Sequence, residues 1–387
     1  EDRVACYFHT GGTTGMPTVA QHKYSGMIYN GWIGKRILLD ETDNILCPLP
    51  LFHVFACHVI IMGALTAGSH VVLPTPQGYR GEGVFDNIWK LVERWKISFI
   101  IGVPTAISAM MQRPVDADIS SVKSTFSGSA ALPMELFRRF EKATGVEILE
   151  GYGLTEATVM VSGNPADGIK KVGSVGVEIC VSNPGVFPGN TYTEADKNKD
   201  LYYHGDFLRT GDLGRKDADG YIWITGRAKD LIIRGGHNID PAEIEEALLG
   251  HEAVAFAGAI GQPDAHAGEV PCAFVELVAG ASVTEEELLS YCKEHVHERA
   301  AQPKHMVIMD ELPKTAVGKI FKPDLRRMAI TRVFNGALKN AGIAARVDLV
   351  IDDKKRGLVA VINMNGAEPA EVGTVLGDYV TQWDAAA

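Results

Sequence analysis

Between His70 and Glu150 the chain alternates short β-branched apolar runs with amphipathic stretches, and no other feature of its 387 residues narrows the fold as much. "HVVLP" reads as a buried strand, Val84 to Trp95 as a helix, "SFIIG" as a strand, Thr105 to Met111 as a helix and "VKSTFSG" as a strand. Alternation of this kind means parallel strands joined by helical crossovers. In "LPMELFRRFEKATG", Pro133 suits a first helical turn, Leu136, Phe137 and Phe140 share one face, and Gly145 can end the helix. The strand "VEILE" then runs straight into "GYGLTEAT", at the end of a strand where open α/β sheets gather their ligand sites.

Past residue 210 the grammar changes. "KDADGYIWITG" reads as a turn at Asp219-Gly220 and a strand, and "DLIIRGG" as a second strand. "DPAEIEEALLG" is a helix with Asp240 as N-cap, Pro241 in the first turn, Glu243 as the reciprocal partner of a capping-box-like pair and Gly250 at the end. Strands at Val254 to Ile260, Cys272 to Val278 and His305 to Met309 surround a helix at Glu285 to Glu294. The expectation is therefore a large α/β domain over 1–228 and a small α+β domain over 229–387, with an extra tail from about residue 331. That tail holds two apolar-alternating segments and a predicted helix from Glu368 to Trp383, packed on the small domain or forming a subunit contact, as in a homodimer.

A formal charge of −11 argues against nucleic acid as the main partner, because phosphate neutralisation needs a basic surface. The six cysteines form neither a C-x-x-C pair nor a close Cys/His group in sequence, which points to reduced thiols and a cytoplasmic protein. The longest apolar run, near Val54 to Leu65, is too short to span a bilayer.

Glycines and threonines crowd the loop "HTGGTTGMP". Glycine lets a backbone approach closely, and threonine hydroxyls with backbone N–H groups donate to anionic oxygens, so the loop suits polyphosphate. It is not a Walker loop, since no lysine precedes Lys23, and a loop of this kind read alone is more often a plain turn than a phosphate cradle. In "GYGLTEAT", Thr155 can donate to phosphate and Glu156 can hold a magnesium ion, or the two can be a helix start and a solvated carboxylate. Asp212 in "RTGDLG" can accept two sugar hydroxyls or cap its own turn. "PKTAVGKIFKPDLRR" presents Lys319 on a loop between prolines.

Taken together and in this order, these segments resemble the motifs of the adenylate-forming superfamily of acyl-CoA synthetases, peptide-synthetase adenylation domains and firefly-type luciferases, across roughly residues 5 to 330. The acyl-CoA synthetases are the best match. The resemblance implies a large adenylate-forming domain with a small mobile lid domain. It implies a two-step reaction: a carboxylate and ATP give acyl-AMP and pyrophosphate, and coenzyme A then displaces AMP. It places Thr10, Gly11, Gly12, Thr13, Thr14 and Gly15 around the β- and γ-phosphates. Gly128, Ser129, Ala130, Glu150, Gly151, Tyr152, Gly153 and Ile224 fall around the nucleotide and acyl group, and Asp212 and Arg227 on the ribose. Thr155 would contact the α-phosphate region, Glu156 and Thr14 the Mg2+ ion, and His53 would gate the acyl pocket. Lys229 would be the hinge, Lys319 the lysine bridging carboxylate and α-phosphate, and Arg234, Gly235 and Gly236 would face coenzyme A.

Three departures accompany the resemblance. Thr18 stands where the family's loop carries a lysine; the resemblance also leads one to expect that a β-rich segment is skipped at the join of Val177 and Glu178 and that the given sequence starts inside the family's large domain. No acid occurs from Leu51 to Leu65, where amino-acid-activating relatives place one, so a plain carboxylic acid is expected, a medium- or long-chain fatty acid first and an aryl acid second. A catalytically weak nucleotide-binding relative is the alternative from another class.

Overall fold

The computed structural model describes residues 3–10, 18–130, 132–163, 177–227, 230–235, 237–316, 318–353 and 356–386. The chain divides into two compact units. The larger runs to Thr225 and takes in Ala316–Lys319, and the second holds Gly226–Thr315 and Ile320–Ala387.

The larger unit opens with β1 (Val4–Thr10) and β2 (Thr18–Lys23), an antiparallel pair in which Thr10 faces Thr18. Helix α1 (Tyr24–Ile37) leads to β3 (Asn44–Leu46), and a π-helical turn, Phe55–Ile61, merges into α2 (Met62–Ala67) before β4 (His70–Val72). Then come α3 (Ile88–Trp95), β5 (Phe99–Gly102), α4 (Pro104–Met110), β6 (Ser124–Ser127), α5 (Met134–Thr144), β7 (Ile148–Leu154) and β8 (Val159–Gly163). The sheet order is β4-β3-β5-β6-β7-β8, parallel throughout except for β8. This is the expected parallel sheet with helical crossovers.

Its strands are apolar on both sides because both faces are covered. Ile45, Phe99, Ile101, Phe126 and Leu149 pack with Phe55, Val59 and Ile60, while Leu46, Ile100 and Ile148 pack with Ile88, Trp89, Ile107, Met110 and Phe140. Successive strand residues thus serve opposite cores, as a period of two requires. The expected helix from Val84 is shorter: a 3-10 turn at Phe85–Asn87 precedes it, and Asn87, at φ −117°, leaves the helical range before α3 begins. A second sheet of this unit orders β10 (Tyr202–Tyr203), β11 (Phe207–Lys216) and β12 (Ile222–Arg227), with β9 (Val177–Val181) also on β11.

In the second unit, β13 (Ile232–Arg234), β14 (His237–Ile239), β15 (Val254–Asp264) and β16 (Gly268–Leu277) pair in the order β14-β13-β16-β15, and β17 (His305–Met309) lies parallel to β16. Helices α6 (Pro241–Leu249) and α7 (Glu285–His295) cover it. Asp240 caps α6, accepting from the Ala242 N–H at 2.9 Å. Glu243 is not its reciprocal partner, since its carboxylate accepts from the Glu298 N–H at 3.1 Å; the capping box forms instead on α7, between Thr284 and Glu287.

The tail is a third layer. Helix α8 (Lys322–Asn340) packs Leu325 and Ala329 against Ile260 and Phe274, and Ile330, Phe334 and Leu338 against β18 (Arg346–Asp353), β19 (Gly357–Asn363) and α9 (Pro369–Leu376). The helix expected from Glu368 to Trp383 ends at Leu376. Gly377 follows it, and Trp383 belongs to β20 (Gln382–Ala385), parallel to β19.

Candidate active site

Four parallel strands of the large sheet, β3, β5, β6 and β7, deliver candidate residues at or beyond their carboxyl ends. Glycine at 151 and 153 is a packing requirement: a Cβ on Gly151 would sit 2.3 Å from Phe126 Cζ, and one on Gly153 would sit 1.9 Å from the Val159 carbonyl oxygen. Glu150, on the same strand, is half-buried by its surface yet its carboxyl faces inward, accepting from the Leu132 N–H at 2.8 Å. Burial raises its pKa to about 7, against the lowering effect of that hydrogen bond.

Tyr152 donates its hydroxyl to Asp212 Oδ2 at 2.8 Å, and Asp212, on β11, is only 5% exposed. The Asp212 N–H donates to Thr210 Oγ1 at 3.0 Å, so the carboxylate's backbone is pinned as well. Beyond β7 a 3-10 turn, Thr155–Ala157, carries Glu156, whose Oε1 accepts the Tyr192 hydroxyl at 2.7 Å. The chain then passes through two β-branched residues in the left-handed region, Thr158 at φ 56° and Val159 at φ 92°. Such conformations are strained and persist where surrounding structure over-determines them. One such constraint is the Thr158 hydroxyl, which donates to the Gly185 carbonyl at 2.6 Å; at the start of the turn, His22 Nε2 lies 2.8 Å from the Thr155 carbonyl oxygen.

Past β6 stand Gly128, Ser129 and Ala130; Ser129 is also left-handed, at φ 71°, and a Cβ on Gly128 would come 3.2 Å from Phe55 Cζ. After β5, Thr105 donates its hydroxyl to the Gly318 carbonyl at 2.6 Å, within the larger unit to which Ala316–Lys319 belong. Lys319 itself is exposed. After β3, His53 accepts the Phe55 N–H on Nδ1 at 3.2 Å; burial first, and the Lys319 charge second, hold its pKa below the ordinary histidine value.

Thr10 is buried and its hydroxyl donates to the Thr18 carbonyl at 3.4 Å, so both ends of the glycine- and threonine-rich stretch are paired. Gly11, Gly12, Thr13, Thr14 and Gly15 lie outside the described residues, as do Lys229 and Gly236. Ile224 and Arg227 are half-buried on β12. In the second unit the Arg234 guanidinium donates to the Ala300 carbonyl at 2.6 Å, and Gly235, at φ 56°, donates its N–H to Ala267 at 2.8 Å. Two contributors escaped the sequence reading. Tyr192, on Glu156, sits in an irregular stretch with no motif, and His22, on Thr155, is one polar residue in a short strand.

The larger part of the chain matches known proteins. Residues 1–190 match the model of the AMP-binding enzyme family, and residues 243–319 that of the AMP-binding enzyme C-terminal domain. The chain is 39% identical to a marinolic acid–CoA ligase of Pseudoalteromonas sp., over 93% of this chain and 60% of that protein. It is 33% identical to an indoleacetate–CoA ligase of Aromatoleum aromaticum, over 85% of this chain and 68% of that one. A solved anthranilate CoA ligase in complex with anthranoyl-AMP superposes with a TM-score of 0.75 at 27% identity, covering 85% of this chain and 68% of that chain. The chain thus spans about 60% of the length of the marinolic acid ligase. It belongs to the AMP-binding, adenylate-forming enzyme family, among the CoA ligases.

Proposed function

We propose that the chain is an ATP-dependent acyl-CoA synthetase of the AMP-forming type, acting on a carboxylic acid with an apolar body. The observation that carries this reading is the convergence of a buried carboxylate held by an aromatic hydroxyl, Asp212 with Tyr152, and a second, more open carboxylate, Glu156, around the end of β7. In the first step a carboxylate oxygen attacks the α-phosphorus of ATP and pyrophosphate leaves. In the second the sulfur of coenzyme A attacks the acyl carbonyl, gives up its proton to solvent, and AMP leaves.

Asp212 fits a ribose, because a desolvated carboxylate with a fixed plane can accept two vicinal hydroxyls. Glu156 fits a magnesium ion: Tyr192 occupies Oε1 and orients the carboxylate, and Mg2+ favours one or two carboxylates beside substrate phosphates. The ion would supply neutralisation of phosphate charge. The residues supply positioning, through which such transfers are chiefly catalysed. His53, kept neutral by burial, adds no charge beside an apolar acyl chain, while Lys319 contributes the cation that brings two anions together. Gly235 leaves room for a narrow thiol approach.

A medium- or long-chain fatty acid is the first candidate, and the cytoplasm the setting that keeps six thiols reduced. An aryl acid is the second candidate, favoured by the indoleacetate and anthranilate ligases among the relatives. The test is a panel of fatty, aryl and dicarboxylic acids with ATP, Mg2+ and CoA, following AMP and thioester together. Equal yields of the two are expected with at least one acid, and Glu156→Gln should lower the rate by about 100- to 1,000-fold, the scale of one lost electrostatic stabiliser. No AMP with any acid would sink the reading.

A further inference from the structure

Cys6 on β1, His22 on β2 and His58 on the π-helical turn bring three ligating atoms within 4.8 Å of one another; His22 uses only Nε2 on the Thr155 carbonyl, and the proposed reaction assigns no role to the three ligating atoms. His22 Nδ1 lies 2.8 Å from His58 Nε2, and Cys6 Sγ lies 3.9 Å from that same nitrogen. Both imidazoles are fully buried and Cys6 is half-buried, with Phe8 against the two rings at 5.3 and 5.0 Å. The Thr155 carbonyl can only accept, so His22 carries its proton on Nε2 and turns a bare Nδ1 lone pair toward His58. An imidazole fixed in this way by a backbone carbonyl is the arrangement that orients metal-binding histidines.

We propose that Cys6, His22 and His58 form a binding site for a zinc-type cation, with Cys6 Sγ, His22 Nδ1 and His58 Nε2 as ligands. One thiolate and two imidazoles are a donor set that zinc favours over harder cations. Tetrahedral zinc separates two imidazole nitrogens by about 3.3 Å and a nitrogen from a sulfur by about 3.6 Å, given bond lengths of roughly 2.0–2.1 and 2.3 Å. The His22–His58 and Cys6–His58 spacings differ from these by about 0.5 and 0.3 Å and the third pair lies within 4.8 Å, so side-chain rotation has to bring the three ligands onto one ion.

On binding, the Cys6 S–H bond breaks, the sulfur–metal bond forms and the proton goes to solvent. Without metal, His58 must donate from Nε2 to His22, which leaves His58 Nδ1 buried with no hydrogen-bond partner among the described residues. With metal that proton moves to Nδ1, so the number of unmet nitrogens does not change. Entry is by way of Cys6, the most accessible of the three.

The test uses the full chain, stripped with a chelator and titrated with Co2+ as a coloured stand-in for Zn2+, so it needs no turnover and stands apart from the ligase reading. One Co2+ per chain is expected, with a thiolate-to-cobalt charge-transfer band that equimolar Zn2+ erases. Zn2+ should also raise the thermal midpoint of the parent. Cys6→Ser, nearly isosteric, should remove the band, and His58→Phe should weaken binding at least tenfold. If His58→Phe does not fold, the Cys6→Ser spectrum decides. No charge-transfer band in the parent, or a band that survives Cys6→Ser, overturns the proposal and leaves the pair as an imidazole–imidazole hydrogen bond.

Discussion

In the large unit, β3, β5, β6 and β7 all run the same way, so their carboxyl ends fall on one edge and residues remote in sequence, such as His53 and Tyr152, are delivered to the same side of a sheet. In the second unit, β15 and β16 are paired antiparallel from Val254↔Leu277 to Asp264↔Gly268, and their ends point to opposite edges. Strain is distributed in the same way. Among the described non-glycine residues, Ser129, Thr158 and Val159 hold left-handed backbone beside the strand ends of the large sheet, with Lys96, Asp200 and His204 elsewhere in that unit, whereas the second unit has only Asn365 in that state. The large parallel sheet concentrates candidate chemistry beside strained backbone, while the mixed, mainly antiparallel sheets of the second unit spend their residues on burial and register.

The sharpest way to break this comparison is to damage the region with no candidate chemistry. Phe334 on α8 is fully buried, packs at 5.2 Å from the Tyr379 ring and joins the tail strands to the helix. Phe334→Ala should cost about 3–5 kcal/mol, the range for a deleted buried aromatic side chain. Denaturant unfolding followed by hydrogen exchange should place the loss in β18, β19 and α9, with ATP affinity within twofold of the parent. A tenfold loss of ATP affinity in the folded variant would mean that the tail supports the nucleotide site, and the separation of roles would fail.

How much of this was legible in the sequence depended on the range of the interaction. The strands and helices between His70 and Glu150 were readable because burial on both faces leaves runs such as "SFIIG" that only a covered parallel strand explains. Asp240 as N-cap was readable because a cap is a local hydrogen bond, but Glu243 was drawn away by Glu298, a partner remote in sequence. The tail helix was overextended because Val380 and Trp383 suit a helical face as well as a strand, and only pairing with β19 decides between them. At the candidate site Gly151 and Gly153 were legible as motif letters. The reasons they must be glycine, Phe126 and the Val159 carbonyl, belong to the packed structure. Tyr192 on Glu156 and His22 on Thr155 left no local trace at all.

A second prediction sharpens the contrast between two carboxylates of one strand end, Glu150 and Glu156. Burial raises the Glu150 pKa to about 7, so the folded chain keeps a proton that the unfolded chain, at an ordinary value of 4.5, has lost. The folded pKa lies above the unfolded one. The contribution to stability is therefore complete below about pH 4.5 and is lost as pH rises through about 7. Its size is about 3 to 4 kcal/mol at most, from roughly 1.4 kcal/mol per unit. Glu150→Gln, which keeps the acceptor for the Leu132 N–H and cannot ionise, should flatten this fall. Urea midpoints between pH 5 and pH 8 would show it; an unchanged slope in the variant would mean that Glu150 is ionised in the fold.

The smallest effect tests Thr18, the residue that stands where the resemblance leads one to expect a lysine. Thr18 opens β2 directly opposite Thr10, and its carbonyl, not its side chain, accepts the Thr10 hydroxyl. Thr18→Lys therefore leaves that hydrogen bond in place and adds a cation beside the stretch proposed to meet the leaving pyrophosphate. One charge at about 4 Å in a water-like medium is worth about 1 kcal/mol, so pyrophosphate release should quicken roughly fivefold, and less at high salt. Single-turnover release in low and high salt would separate a true field effect, which fades with ionic strength, from a change in the hairpin, which does not. An unchanged rate at low salt would mean that Thr18 faces away from the phosphates, and that the convergence at the large sheet's edge does not extend to β2.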